Sequence, residues 1–406
     1  MTTYLTAIGG GTFSTLTGEA LRALMQADVI YGWERTLQDL PDDVTEHRVA
    51  VKNSAELLER LQQDAVSRDP IIETAAVVYS GDTGFYSGAR ILFPKLQEAG
   101  LEAEVIPGVS SIQIFAARLG RPWQDWNLVS AHGVPCDPVV EVMKGKTTCF
   151  LTGASSGMNN LCKALIEAGL GNLPAVLAED LTYPTEALTT GAVRDFADRK
   201  AAVLNLLLVE PAPTLPARTG GYPDTSFERA DVPMTKQEVR VAALAKLGIA
   251  PKDTVWDIGA GTGSVSVEMA LAAREGRAYA IECEKKALAL ARRNRERFCA
   301  WNLTIEEGKA PEKLPDWPVP DAVFIGGTKG NLKEVLAVVL EKNPDARVCV
   351  TAIALETLNE AVEAFAEHDM EATVTQIAVS RTKKAGTHHM LMGQNPIFLI
   401  TGNCYE

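Results

Sequence analysis

The 406-residue sequence offers little that would anchor a metal, a membrane or a polyanion. Five histidines are present, and the one adjacent pair, His388 and His389, sends its side chains in divergent directions without a further ligand nearby in sequence. No metal site is expected. The seven cysteines (136, 149, 162, 283, 299, 349 and 404) are odd in number, scattered and free of any C-x-x-C pair. That usage fits a reducing compartment and places the chain in the cytoplasm. Met1-Thr2-Thr3-Tyr4-Leu5 carries no basic region ahead of an apolar stretch, and no uncharged apolar run reaches membrane-spanning length, so neither a signal peptide nor a membrane partner is expected. Positive charge is scarce: 39 Lys and Arg face 52 Asp and Glu, a net charge of −13 that argues against a nucleic-acid partner. An anionic small substrate remains open, held by local cations among Lys236, Arg240, Arg381, Lys383 and Lys384.

With 46% hydrophobic and 22% charged residues, the chain reads as soluble globular material with length for two or three domains. In the first half apolar strands alternate with amphipathic helices. Strands are predicted over 4–8, 29–31, 75–79, 104–106, 127–130, 148–151, 175–178 and 203–209, and helices over 16–27, 55–66, 88–99, 111–119 and 158–168. From Glu210 to Pro223 prolines and glycines interrupt both ladders, which gives domains at 1–209 and 230–406 with a linker at 210–229. After a helix over 237–247, seven strands follow at 253–258, 278–282, 303–306, 321–325, 347–353, 372–380 and 396–401. Helices are expected in the first five gaps and a plain loop in the last, which suits an antiparallel final strand on a parallel sheet.

Two glycine-rich turns follow strands, Gly9-Gly10-Gly11 and Gly259-Ala260-Gly261-Thr262-Gly263. Glycine at such a turn lets backbone N–H groups approach a ligand and permits positive φ. The dinucleotide fingerprint G-x-G-x-x-G fails in both registers of the second turn, because Ser264 and Ser266 stand where its last glycine belongs. The stretch Asp257-Ile258-Gly259-Ala260-Gly261-Thr262-Gly263 instead resembles the first motif of Rossmann-like S-adenosylmethionine methyltransferases. The resemblance implies that Gly259, Ala260, Gly261, Thr262 and Gly263 hold that cofactor, with Glu282 at the end of the second strand on its ribose. Lys309 departs from the acid often found after the third strand, so the adenine contact is expected from the Ala310 backbone.

Pro233-Met234-Thr235-Lys236-Gln237-Glu238-Val239-Arg240 and Phe324-Ile325-Gly326-Gly327-Thr328 resemble the decarboxylating corrin methyltransferases of cobalamin biosynthesis. This implies that Thr235 touches the cofactor and that Lys236, Gly326 and Gly327 border the substrate. In the first domain Ser80-Gly81-Asp82-Thr83-Gly84-Phe85-Tyr86 and Pro107-Gly108-Val109-Ser110-Ser111 resemble loops of the tetrapyrrole methylases, with Thr83 where many relatives have proline. Leu128-Val129-Ser130-Ala131-His132-Gly133 and Ala178-Glu179-Asp180-Leu181 match the branch that methylates C5 of the corrin ring. Cofactor contacts are then implied at Gly81, Asp82, Thr83, Phe85, Ser110 and Ser111.

Together the two resemblances imply an α/β protein: an N-terminal tetrapyrrole methylase fold of two α/β subdomains, then a seven-stranded Rossmann-like methyltransferase. They imply one S-adenosylmethionine per domain, a small-molecule tetrapyrrole substrate and a homo-oligomer. The first domain would methylate C5; the second would methylate C15 and remove the C12 acetate carboxyl. No catalytic acid or base is identified, and Arg381, Lys384, His388 and His389 are the candidates to hold substrate carboxylates. The alternative is a methyltransferase for RNA or protein with an N-terminal recognition domain. Asn395-Pro396-Ile397-Phe398 lies on the last strand and is read as structural.

Overall fold

The computed structural model describes residues 1–10, 13–38, 40, 44, 46–68, 70–131, 135–153, 155–215 and 221–403; Gly11, His132, Gly133, Cys404 and linker residues 216–220 lie outside the described residues. The chain forms two compact units. One holds Met1–Cys136, Lys146–Lys163 and Gly171–Glu210; the other holds Pro211–Glu406 with Asp137–Gly145 and Ala164–Leu170.

The first unit contains two sheets. Strands β1 (Thr2–Ala7), β2 (Val29–Gly32), β3 (Arg48–Ala50), β4 (Thr74–Tyr79) and β5 (Glu102–Ile106) form a sheet in the order β3-β2-β4-β1-β5. All its pairs are parallel. The central strand β4 is an apolar run from Ala75 to Val78, fully buried, as a sheet covered by helices on both faces requires. Strands β6 (Asn127–Ser130), β7 (Thr148–Leu151), β8 (Pro174–Glu179), β9 (Ala187–Ala192) and β10 (Asn205–Val209) form the second sheet, ordered β6-β7-β10-β8-β9 and mostly antiparallel. The sequence pattern misses β3 and β9. Both are edge strands, and neither contains a fully buried residue to mark it.

In the second unit β11 (Thr254–Ile258), β12 (Arg277–Glu282), β13 (Leu303–Glu307), β14 (Ala322–Ile325), β15 (Arg347–Ala352) and β16 (Thr373–Ile377) share a sheet with a final strand. An exposed ribbon, β17 (Ser380–Ala385) paired with β18 (His388–Gly393), precedes that last strand, β19 (Ile397–Gly402). The order is β13-β12-β11-β14-β15-β19-β16, parallel except for β19, which runs antiparallel to β15 and β16. Apolar clusters cover both faces, one around Val255, Met269 and Phe324, the other around Trp256, Trp317 and Phe365. Among the described residues no helix is long and apolar enough to cross a membrane.

Three expectations for this half need correction. Between β13 and β14 there is only a short 3-10 turn at Leu314–Asp316, since Pro311, Pro315, Pro318 and Pro320 remove the donors a helix would use. The last gap is the β17–β18 ribbon, turned at Gly386 with φ +61, rather than a loop. Tyr222 and Phe227, read as part of a linker, pack into the core of the second unit, where Phe227 is 5% exposed and stacks on Phe298 at 4.5 Å.

Candidate active site

Strand order reverses between β11 and β14, so their connections leave on opposite sides and a crevice opens beyond their C-terminal ends. A cavity of about 950 Å³ occupies that crevice. Its glycine loop is shaped by close approach: Gly259 has φ +77, and a Cβ there would lie 2.3 Å from the Gly327 carbonyl oxygen. Gly326 N–H donates to the Ile258 carbonyl at 2.9 Å. The glycines after β14 thus let two loops meet backbone to backbone while lining the cavity.

Glu282 ends β12 in the same wall, 7% exposed. Its two carboxylate oxygens accept from Gly261 N–H at 2.7 Å and Glu284 N–H at 2.8 Å, which fixes the carboxylate and leaves further lone pairs for hydroxyl donors. Thr262 Oγ1 is buried without a hydrogen-bond partner. Asp257, whose sequence signal was present in the motif but not read as a site residue, also lines the cavity. One of its oxygens accepts from the Ser266 hydroxyl, and the other, Oδ1, is buried with no partner. Burial, opposed by the Ser266 hydrogen bond and reinforced by the Glu282 charge, pushes its carboxyl up to about 7. A bound S-adenosylmethionine fits this wall: it brings hydroxyls, an ammonium and a sulfonium to two carboxylates and an unpartnered threonine hydroxyl.

Thr235, Lys236 and Ala310 line the cavity, together with Ala260, Gly261 and Thr262; Gly263 sits behind, where a Cβ would press on Ala291 at 2.9 Å. The Ala310 carbonyl already accepts from Asn331 Nδ2 at 3.0 Å. Arg240, expected as a substrate cation, is wholly buried and bound to Asp224 and Glu268, each at 3.0 Å. Its guanidinium also lies 4.8 Å from the centre of the Phe227 ring. Arg381 is likewise committed, to Glu238 and Asp224. Lys383, Lys384, His388 and His389 lie on the exposed β17–β18 ribbon and form no part of the cavity wall. Gln394 and Asn395 do line it, so Asn395 faces the site rather than serving the strand alone. Among the described residues no group of His, Cys, Asp and Glu is arranged to hold a metal ion.

In the first unit the implied residues gather at the C-terminal ends of β4 and β5. Asp82 ties the two loops together, accepting from Gly84 N–H at 2.9 Å and Gly108 N–H at 3.0 Å. The Thr83 hydroxyl donates to the Ile106 carbonyl at 3.0 Å, and Ser110 caps the following helix, Ser111–Leu119. Ser111 opens that helix, and Phe85 packs against the cluster around Ile112 and Phe115. Gly81, with φ +77, has no atom within 4 Å of its Cβ direction and faces open space. Gly9 is different: it has φ +72 and a Cβ there would lie 2.7 Å from the Thr15 carbonyl oxygen, so local backbone packing requires glycine, whereas a Cβ on Gly10 would first meet the end of the Ile114 side chain at 2.6 Å.

Comparison with known proteins follows this division. Residues 2–197 match the family of Tetrapyrrole (Corrin/Porphyrin) Methylases, and residues 225–402 match the Precorrin methyltransferase domain. The Precorrin-6Y C(5,15)-methyltransferase [decarboxylating] of Sinorhizobium sp is 34% identical over 80% of this chain and 78% of its own. A probable cobalt-precorrin-6B C(15)-methyltransferase (decarboxylating) of Pyrobaculum calidifontis is 41% identical over 46% of this chain and 98% of its own. The solved structure of Precorrin-6y C5,15-methyltransferase from Geobacter metallireducens GS-15 is 38% identical, covers 45% of this chain and 95% of that one, and has a TM-score of 0.43. Similarity over both units at this level shows that the chain belongs to the precorrin-6Y C5,15-methyltransferase (decarboxylating) family, methyltransferases of cobalamin biosynthesis whose methyl donor is S-adenosylmethionine.

Proposed function

We propose that this chain transfers two methyl groups from S-adenosylmethionine to C5 and C15 of precorrin-6B (dihydro precorrin-6) and removes the C12 acetate carboxyl, giving precorrin-8X. Residues 1–209 carry the C5 step and residues 230–406 the C15 step and decarboxylation, with one cofactor in each. The cavity at the β11–β14 switch point carries the reading, because it joins a cofactor wall at Glu282, Asp257 and Thr262 to a second wall at Thr235, Lys236, Gln394 and Asn395. Family membership favours the corrin reading over an RNA or protein methyltransferase. The enzyme works in the cytoplasm on a small-molecule tetrapyrrole, without nucleic acid or membrane.

The cofactor supplies an electrophilic sulfonium methyl. The chain's task is positioning: Glu282 and the glycine loop hold the donor, while Lys236, Gly326 and Gly327 border the ring that presents its nucleophilic carbon. Because methyl transfer would discharge the sulfonium, apolar walls such as Phe324, Val350 and Ile397 would favour it over the charged ground state. In decarboxylation the C–C pair of the acetate arm flows into the protonated conjugated imines of the ring, CO₂ leaves, and a proton replaces it on the arm.

Self-association is supported by the β17–β18 ribbon. A two-stranded ribbon has little stability alone, and this one exposes Met390 (54%), Leu391 (72%) and Met392 (47%). We read it as the contact between copies in a homo-oligomer, to be checked by sedimentation of Leu391→Lys against the parent.

Mass spectrometry of the full chain with a labelled methyl donor tests the function. The parent should add two methyls and lose CO₂. Gly259→Val should add one methyl without CO₂ loss; two methyls from that variant, or none from the parent, would overturn the assignment.

A further inference from the structure

Two segments far apart in sequence line the cavity: Asp231 to Lys236, and Ile377, Val379, Gln394 and Asn395. No strand pairing joins them. Resting on the reading of the second unit as the C15 methyltransferase and decarboxylase, we propose that Arg381 is a positioning residue that clamps these two walls at the spacing the tetrapyrrole needs.

Arg381 stands two residues beyond Val379, near the start of β17. Its guanidinium forks onto Glu238, Nε to Oε1 at 3.2 Å and Nη2 to Oε2 at 2.5 Å, and Nη1 reaches Asp224 Oδ2 at 3.1 Å. The other Asp224 oxygen accepts from Arg240 Nη1 and from Gln237 N–H, at 3.0 and 2.9 Å. Arg240 in turn donates to the carbonyls of Thr235 and Tyr222. An unbroken polar chain therefore runs from the base of the ribbon, through Asp224 and Arg240, to the backbone of Thr235 in the cavity wall.

The exposures separate placement from stability. Arg240 is fully buried, whereas the Arg381 and Glu238 side chains are 40% and 41% exposed. An ion pair so open to water contributes little to folding, yet its planar fork fixes direction. Without Arg381, Asp224 still has Arg240 and Gln237 N–H, so the start of the helix Gln237–Leu247 stays in place while the β17 side is released. The cofactor residues Gly259 to Gly263 and Glu282 take no part in this network, and Thr235, the implied cofactor contact, enters it only through its carbonyl, which Arg240 holds without Arg381. Loss of the clamp should therefore act on the tetrapyrrole and spare the cofactor.

The test uses the full chain at saturating methyl donor, with the C15 step and CO₂ release followed as tetrapyrrole is varied. Arg381→Met should raise KM for that step about tenfold with kcat changed by less than about threefold, the signature of lost binding in ground and transition states alike. Cofactor affinity by calorimetry and the C5 methyl gain should stay at parental levels, which also reports that the variant is folded. Arg381→Lys should recover part of the loss, since a single ammonium can hold one of the two carboxylates. Glu238→Gln, which keeps the Asp224 link, should show an intermediate KM. The double variant Arg381→Met with Glu238→Gln should remain impaired; recovery to the parental KM would mean that exposed negative charge, not a lost clamp, repels the substrate. An unchanged KM in Arg381→Met, or a fall in kcat with KM unchanged, would equally overturn the proposal. Absence of CO₂ release from the parent is a separate outcome, which removes the underlying C15 reading.

Discussion

Asp257→Asn tests the energetic weight of the raised carboxyl near the end of β11. Its ordinary value is 3.8, and burial first, with Glu282 adding to it against the Ser266 bond, lifts it to about 7. The folded chain therefore binds a proton more tightly than the unfolded chain. Its contribution to stability is complete below pH 3.8, declines as pH rises toward about 7 and is level above that. At 1.36 kcal/mol per pH unit the whole window corresponds to about 4 kcal/mol, and the part between pH 5 and pH 8 to about 2–3 kcal/mol. Asparagine does not titrate, and whatever its amide gains or loses against Ser266 is the same at every pH. The difference in unfolding free energy between Asp257→Asn and the parent should thus shift by about 2–3 kcal/mol toward the variant from pH 5 to pH 8, read from urea transitions without cofactor. A cationic cofactor favours the ionised carboxylate, so binding at pH 6 should release a proton, seen as a buffer-dependent heat that Asp257→Asn abolishes. A stability difference that stays flat between pH 5 and pH 8 would refute the reasoning and place the titrating group elsewhere.

Gly259→Ala puts a methyl against the Gly327 carbonyl at 2.3 Å in a left-handed conformation, and strain of about 1–3 kcal/mol before the clash is added should remove the second cofactor site in calorimetry while leaving the first. Arg240→Met leaves the Glu268 carboxylate buried with its ion partner gone and weakens the hold on Asp224, so the second unit should lose about 3–5 kcal/mol in urea unfolding. Asp82→Ala frees the N–H groups of Gly84 and Gly108 and should abolish the C5 methyl gain, with C15 methylation and CO₂ loss retained in the mass spectrum. Asp224 offers an acid test: burial would raise its carboxyl, but the Arg240 and Arg381 hydrogen bonds more than reverse this, holding it below its ordinary 3.8. Its contribution is present above that value and lost as pH falls through the lower folded one, so an Asp224→Asn variant should be less stable than the parent at pH 7 and approach it near pH 2.

Much of the fold was legible in the residues. The β6 and β7 strands and the antiparallel last strand follow from apolar runs and spacing, which are local properties, and the helix expected over 237–247 is found at Gln237–Leu247. The failed dinucleotide registers and the position of Glu282 also depend only on the order of residues along one turn and one strand. The β17–β18 ribbon was not legible, because its residues are exposed on both faces and leave no alternation to read. The 3-10 turn before β14 was legible in principle from its four prolines.

For the site, sequence determined which residue types stand on the cofactor loop; tertiary structure decided what each is free to do. Arg240 and Arg381 look alike as cations near a motif, yet one is sealed between Asp224 and Glu268 and the other forked onto Glu238 and Asp224. Asp257 looks like a motif letter, yet burial with an unpartnered oxygen gives it a shifted proton affinity. Gly9 and Gly259 both follow strands, yet one is required by Thr15 and the other by the approach of Gly327 beside the cavity. The physical reason is common to all three: charge state, hydrogen-bond capacity and available volume are set by partners distant in sequence, which only the folded chain brings within a few ångströms.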